Sequence, residues 1–280
     1  ILEGMEIMEQ SIIEVQNFRK TYGKFTAVED ISFKVEPGVI FGLLGPNGAG
    51  KTSILETLEG LREPNGGTIR VAGLDPSTEQ KKLHHVIGVQ LQSAGMPESI
   101  TPTEAMKFFC AYHGVKPRFD LLERLGLQQK SGTQFYELST GQQRRLSLAL
   151  AVAHDPQLVF LDEPTAGLDV ASRVELHNLM HDLQKNGTTI ILATHDMAEA
   201  EEMSDQVAIL LNGKLAAIGS PLQITSTGEG LTKISVNTRN GSLAAAAAFP
   251  AVQQSSVKEE YQVYYSTDIG DTVSAILRHN

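Results

Sequence analysis

One stretch limits what this chain can fold into: Gly45-Pro46-Asn47-Gly48-Ala49-Gly50-Lys51-Thr52. The apolar run Val39-Ile40-Phe41-Gly42-Leu43-Leu44 leads into it, and Ser53-Ile54-Leu55-Glu56-Thr57-Leu58, helical in character, leads out. Strand, glycine-rich loop and helix in that order are the setting a phosphate-binding loop requires. Glycines let the backbone bend tightly and bring its N–H groups within reach of phosphate oxygens. A helix starting near Gly50 adds its positive N-terminal end. Lys51 is long enough to reach β- and γ-phosphates, and the Thr52 hydroxyl suits Mg²⁺. The stretch implies a nucleoside triphosphate ligand.

At 280 residues and 41% hydrophobic content, the chain can bury one large core, or a main domain plus a small one. A net charge of −10 argues against a general nucleic-acid binder, which is usually basic. No uninterrupted apolar run approaches the roughly 20 residues that cross a bilayer. No charged segment followed by a long apolar one marks a secretory signal. The single cysteine, Cys110, excludes an internal disulfide, and its place among Ala105, Met106, Phe108 and Phe109 suggests a buried structural thiol. A reducing, cytoplasmic setting is expected.

In chain order, residues 12–18 and 31–35 have strand character, with Ile31, Phe33 and Val35 alternating. Tyr22 lies between them and reads either as a base-stacking ring or as a turn aromatic over the sheet. A turn at Pro64-Asn65-Gly66-Gly67 precedes a strand at 68–71, and a short strand at 86–89 runs toward Gln92. Two helices are expected between Thr101 and Leu127, the first opened by Thr-Pro-Thr-Glu, and Ser139 has the character of an N-cap for a helix over 141–153. Strands at 158–161, 189–193 and 206–211 alternate with helices at 170–185 and 197–203, and Asn212-Gly213 marks a hairpin returning through Leu215. That alternation predicts an α/β fold with a mostly parallel sheet. Composition shifts at a small polar linker, and a βαββα unit, a small α+β domain, is expected beyond it, with helices at 242–249 and 269–279.

Asp162 and Glu163 close the apolar run Leu158-Val159-Phe160-Leu161, so both carboxylates emerge at the carboxyl edge of the sheet, where ligands of parallel sheets bind. Asp162 would hold Mg²⁺, directly or through water, and Glu163 suits proton acceptance from an attacking water. The bland alternative is a carboxylate pair capping a turn. His177 and His181 have metal-compatible i, i+4 spacing, but without a third ligand they are expected to be solvated surface groups.

The order of these pieces resembles the nucleotide-binding subunit of an ABC (ATP-binding cassette) transporter, most like the ABC-2 type exporter cassettes. Residues 45–52 match Walker A; residues 158–162 and then Glu163 match Walker B and its catalytic glutamate. Leu138-Ser139-Thr140-Gly141-Gln142 resembles the family signature, with threonine where glycine is usual. Gln92 stands where the Q-loop glutamine falls, Ala166-Gly167-Leu168-Asp169 resembles the D-loop, His195 the switch histidine, and Tyr22 the adenine-stacking aromatic. The resemblance covers about residues 12–220. It implies a P-loop cassette with an antiparallel β region and a helical subdomain at about 93–155, within a nucleotide-binding domain at 10–222. A linker at 223–230 and an accessory domain at 231–280 would follow.

The resemblance further implies ATP and Mg²⁺ as cofactors. Catalytic residues would be Glu163, His195 and Gln92, and metal would be held by Thr52, Gln92 and Asp162. Nucleotide contacts would come from Tyr22, from Gly45, Pro46, Asn47, Gly48, Ala49, Gly50, Lys51, Thr52 and Ser53, and from Ser139, Gly141, Gln142 and Asp169. Two cassettes would face head to tail, clamping ATP between Walker A of one and the signature of the other. The expected partners are a transmembrane permease and a second cassette, with no nucleic acid, and the expected location is the inner face of the cell membrane. Met96 and Ile100 are either contacts for a short helix of the permease or ordinary core residues. The alternative function is a soluble ABC ATPase acting on DNA or ribosomes, which fits poorly with one compact, acidic cassette.

Overall fold

The computed structural model describes residues 11–90, 95–227, 232–237, 252–258 and 261–266. Gln92 and the helices expected at 242–249 and 269–279 lie outside them. The chain divides into two compact units at Ser220 and Pro221.

The first unit holds two sheets. β1 (Ile13–Tyr22) and β2 (Phe25–Val35) form a long antiparallel hairpin, and β4 (Gly66–Val71) pairs on the other side of β1, giving the order β2-β1-β4. The hairpin extends well beyond the two short strands expected. Register shifts between Val15 and Phe18 and again between Phe18 and Thr21 interrupt its alternation. Asn17 and Asp30 sit at the irregularity with φ near 49°, tied by a 2.9 Å side-chain hydrogen bond. Bulges of this kind displace the period-2 pattern by one residue.

The second sheet has six strands in the order β5-β6-β7-β3-β8-β9. These are β3 (Ile40–Leu44), β5 (Ile87–Gln90), β6 (Leu158–Asp162), β7 (Thr189–Thr194), β8 (Gln206–Leu211) and β9 (Lys214–Gly219). Every neighbouring pair is parallel except β8 and β9, which the Asn212-Gly213 turn makes antiparallel. All five residues of β3, all five of β6 and all six of β7 are buried. That continuous burial explains why these strands are apolar runs without alternation.

Seven α-helices of this unit follow among the described residues: α1 (Lys51–Leu58), α2 (Gln80–Val86), α3 (Pro102–Tyr112), α4 (Phe119–Arg124), α5 (Thr140–Ala151), α6 (Val170–Lys185) and α7 (Met197–Met203), of which α3 and α4 pack on α5. Val86 closes α2 instead of opening the strand expected at 86–89. α3 begins with a full capping box, Thr101 Oγ1 accepting from the Glu104 amide while Glu104 accepts from the Thr101 amide. Cys110, fully buried, packs in one core cluster with Met106, Leu146 and Leu150 from α3 and α5 and Leu161 from β6. Each such Leu or Ile contributes about 1.5–3 kcal/mol through burial.

The second unit opens with α8 (Pro221–Thr227), a helix over part of the expected linker. β10 (Thr232–Asn237), β11 (Val252–Lys258) and β12 (Tyr261–Ser266) then form an antiparallel sheet in the order β10-β12-β11.

Candidate active site

β3, β7 and β6 are adjacent, parallel and in register, Leu44 opposite Thr194 and Asp162 opposite Ala193. Their carboxyl ends therefore present three groups side by side: the 45–50 loop after β3, His195 after β7, and Asp162 with Glu163 at the end of β6. The loop turns through Gly48 and Gly50 at φ 81° and 105°. A Cβ on Gly50 would stand 2.7 Å from the Ala27 carbonyl oxygen, and one on Gly45 would stand 2.5 Å from that of Leu210. Gly45 and Gly50 are thus required by close backbone approach, and Gly50 also by its φ.

Lys51, buried in the first turn of α1, donates to the Gly45 carbonyl at 2.6 Å and lies 3.4 Å from that of Pro46. Its Nζ is 3.6 Å from Glu163 Oε1, both side chains being less than a tenth exposed. Glu163 Oε2 shares a 2.7 Å hydrogen bond with His195 Nδ1, whose ring is 55% exposed. Glu163 thus stands between a buried ammonium and an open imidazole. The Thr52 hydroxyl donates to Asp162 Oδ2 at 3.2 Å. Burial pushes the Asp162 carboxyl above its ordinary value, and the neighbouring Glu163 adds to this, while Thr52 and Lys51 act the other way.

Tyr22, at the tip of the β1–β2 hairpin and 39% exposed, brings its hydroxyl within 3.3 Å of Ser53 Oγ. Lys20 Nζ and the Arg62 guanidinium lie 5.2 and 5.8 Å from its ring centroid. The ring is thereby held beside the start of α1, polarised by two cations.

Ser139, Gly141, Gln142 and Asp169 stand apart from this cluster: among the described residues no hydrogen bond or ion pair joins them to the loop. Ser139 caps α5, its Oγ accepting from the Gln142 amide at 3.3 Å while Gln142 Oε1 accepts from the Ser139 amide at 2.9 Å. Asp169 caps α6, accepting from the Ser172 amide at 2.9 Å and its hydroxyl at 2.6 Å. Those bonds hold its carboxyl below the ordinary range.

Two residues have roles that the sequence does not display. Arg144 Nη1 donates to the Glu163 carbonyl at 2.7 Å. Glu199 is 4% exposed and lies against His177, Thr194 and Thr165; burial pushes its carboxyl up, but these three together hold it below the ordinary range. His177 is consequently not the solvated group expected. It is 8% exposed, with Nε2 3.5 Å from Glu199 Oε1, and half-buried His181 is not brought into that pair. Among the described residues no group of three or more His, Cys, Asp or Glu side chains could hold a metal.

Met96 lines a cleft of about 380 Å³ between β5, α3 and α5, with Leu61, Phe109, Tyr112 and His113 around it and Glu59 in its wall. Met96 and Ile100 both pack against the core, half-buried. Glu59 is 2% exposed, its Oε2 has no hydrogen-bond partner, and burial, reinforced by Asp162 and Glu56, pushes its carboxyl from 4.5 to about 8. The folded protein therefore holds a proton there that the unfolded chain releases near pH 4.5, so stability falls as pH rises through this window. Burial, with the neighbouring histidines adding, lowers His113 to about 4, an effect that acts only below about pH 6.5. Between pH 7 and 8.5 the Glu59 term stands clear of it. Glu59→Gln is expected to remove a loss on the order of 2–5 kcal/mol across the whole window. Urea unfolding of both proteins at pH 7 and 8.5 checks this; parallel losses in the two would show that Glu59 titrates normally.

A description of the ABC transporter family matches residues 28–166. The Nod factor export ATP-binding protein I of Rhizobium etli is 38% identical over 222 residues, 77% of this chain and 70% of that protein. The linearmycin resistance ATP-binding protein LnrL of Bacillus subtilis is 33% identical over 221 residues, 77% of this chain and 71% of that protein. Among solved structures, an ATP binding subunit of an ABC transporter superposes with a TM-score of 0.73 at 26% identity, covering 78% of this chain and 93% of that one.

Proposed function

The chain belongs to the ABC transporter family as an ATP-hydrolysing cassette, and from that premise we propose that it drives export through a separate membrane permease, working as one of a pair of cassettes. The observation that carries the site assignment is the convergence of Lys51, Thr52, Asp162, Glu163 and His195 at the carboxyl ends of three adjacent strands.

The backbone N–H groups of residues 45–52, Pro46 excepted, and Lys51 bind the phosphates, and Tyr22 stacks on the adenine. The Thr52 hydroxyl and the Asp162 carboxylate, 3.2 Å apart, offer the hard oxygen donors that Mg²⁺ takes. When bound there, Mg²⁺ neutralises charge on the β- and γ-phosphate oxygens. Gln92, outside the described residues, is the further metal or water ligand that the family pattern assigns. Glu163 accepts the proton of the attacking water, and His195, bonded to that carboxylate, holds its orientation and offers its remaining nitrogen to the γ-phosphate. Ser139, Gly141 and Gln142 at the N-terminus of α5 bind the γ-phosphate held by the second cassette, an anion site at a helix start; Asp169 lies in the same interface.

The cassette occupies about residues 10–222 and the remainder, after a short connector, forms an accessory unit that regulates or stabilises the pair. Among the described residues no helix is long and apolar enough to cross a membrane, so the permease supplies the path and holds this chain at the cytoplasmic face. The Met96 cleft, apolar and bordered by Phe109 and Tyr112, receives a short permease helix. The relatives named for Nod factor export and linearmycin resistance support export as the direction, here of a drug-like, lipid or polysaccharide cargo.

The test is to tag the chain in its native cell, solubilise membranes gently and identify what co-purifies. A multi-span membrane protein, lost when Met96 is replaced by Glu, is the expected result. Recovery with ribosomal or DNA-associated proteins alone would replace this reading with the soluble alternative.

A further inference from the structure

Glu163 has φ 50°, in the left-handed region. A non-glycine residue there costs on the order of 1–3 kcal/mol and persists only where its surroundings over-determine it. Those surroundings are specific. The Glu163 amide donates to the Ala193 carbonyl at 2.9 Å, and the Glu163 carbonyl accepts from the Ala166 amide at 3.3 Å and from Arg144 Nη1 at 2.7 Å. Arg144 is the one side chain among these backbone anchors, and its charge is permanent.

Arg144 belongs to α5, the helix capped by Ser139. At 1.5 Å per residue the two positions are about 7.5 Å apart along one rigid axis. A displacement of the Ser139 end is therefore carried to the guanidinium, and from it to the main chain that aims the Glu163 carboxylate. We propose that Arg144 is a positioning residue for Glu163, which reports to it whether the N-terminus of α5 is engaged by the nucleotide of the second cassette. The second half of this proposal rests on the assignment of Ser139 and Gly141 to that nucleotide. It would make hydrolysis in one site depend on the occupancy of the other through a single hydrogen bond.

Arg144→Met and Arg144→Lys in the full chain test it, with steady-state ATP turnover and thermal unfolding measured for each. Loss of a charge-assisted hydrogen bond predicts a kcat about tenfold lower in Arg144→Met. KM for ATP and the unfolding midpoint are expected to hold, and Arg144→Lys, still able to donate one N–H, is expected to recover most of kcat. A relay further predicts that Arg144→Met combined with Ser139→Ala costs no more than the more damaging single change, because the two act as a unit. Unchanged kcat in Arg144→Met, an equal loss in Arg144→Lys, parallel loss of KM and stability, or multiplicative losses in the double variant overturns the proposal. Persisting turnover in Glu163→Gln would instead overturn the assignment of Glu163 itself, so the two failures are distinct.

Discussion

Replacing Glu163 with Gln is expected to lower ATP turnover by a factor of about 10²–10⁴, the usual contribution of a positioned general base, while ATP affinity is retained. The amide keeps the size of the carboxylate and a carbonyl oxygen for Lys51, which lies 3.6 Å away, but it cannot accept the proton of water. It also retains a polar group toward His195, now 2.7 Å from Oε2. Phosphate release by the purified chain, beside equilibrium binding of ATP, separates the two effects. Normal phosphate release would remove Glu163 from the chemistry, and loss of binding alongside release would make it a structural residue.

Lys51→Ala is expected to weaken ATP binding by about 10–100-fold, since hydrogen bonds from a charged donor contribute about 1.5–3 kcal/mol. The same change has a second consequence specific to this site. Glu163 Oε1 is buried with no hydrogen-bond partner, and the Lys51 ammonium is its compensating charge. Removing one member of a buried pair typically costs about 3–5 kcal/mol, so Lys51→Ala is also expected to unfold at lower urea concentration. Adding Glu163→Gln relieves that penalty, because no charge is then left uncompensated. Denaturation midpoints are expected to recover in the double variant, while ATP affinity stays low. Affinity returning with stability would show that Lys51 acts by holding the fold and not by holding phosphate.

Much of this site was legible because its parts are local. The apolar run before Gly45, the glycines and the helix after Lys51 are contiguous, and a phosphate loop needs little else. The buried strand ending in Asp162 announced itself as an uninterrupted run, since both its faces are covered. Ser139 declared its cap through residue type, and Gln142, three positions on, completed it. What escaped depends on partners brought by the fold. Arg144 reads as one more polar residue on a helix, because its acceptor is a main-chain carbonyl that no sequence pattern encodes. His177 looks solvated until Glu199 arrives from α7 to cover it. α2 buries a single residue, Leu83, and so leaves no helical period to detect. The bulges of the β1–β2 hairpin break the alternation by which strands are recognised, so its full length does not show in the sequence.

The proposed function requires a pair of cassettes, the loop of one closing on the start of α5 in the other, and the simplest such pair is two copies of this chain. Sedimentation of the Glu163→Gln chain with and without Mg²⁺ and ATP measures this directly. Slowed hydrolysis keeps the nucleotide in place, so the 30.3 kDa chain is predicted to double its mass with ATP and to remain single without it or when Ser139 is replaced by Glu. A chain that binds ATP fully and stays monomeric at every concentration would contradict the account.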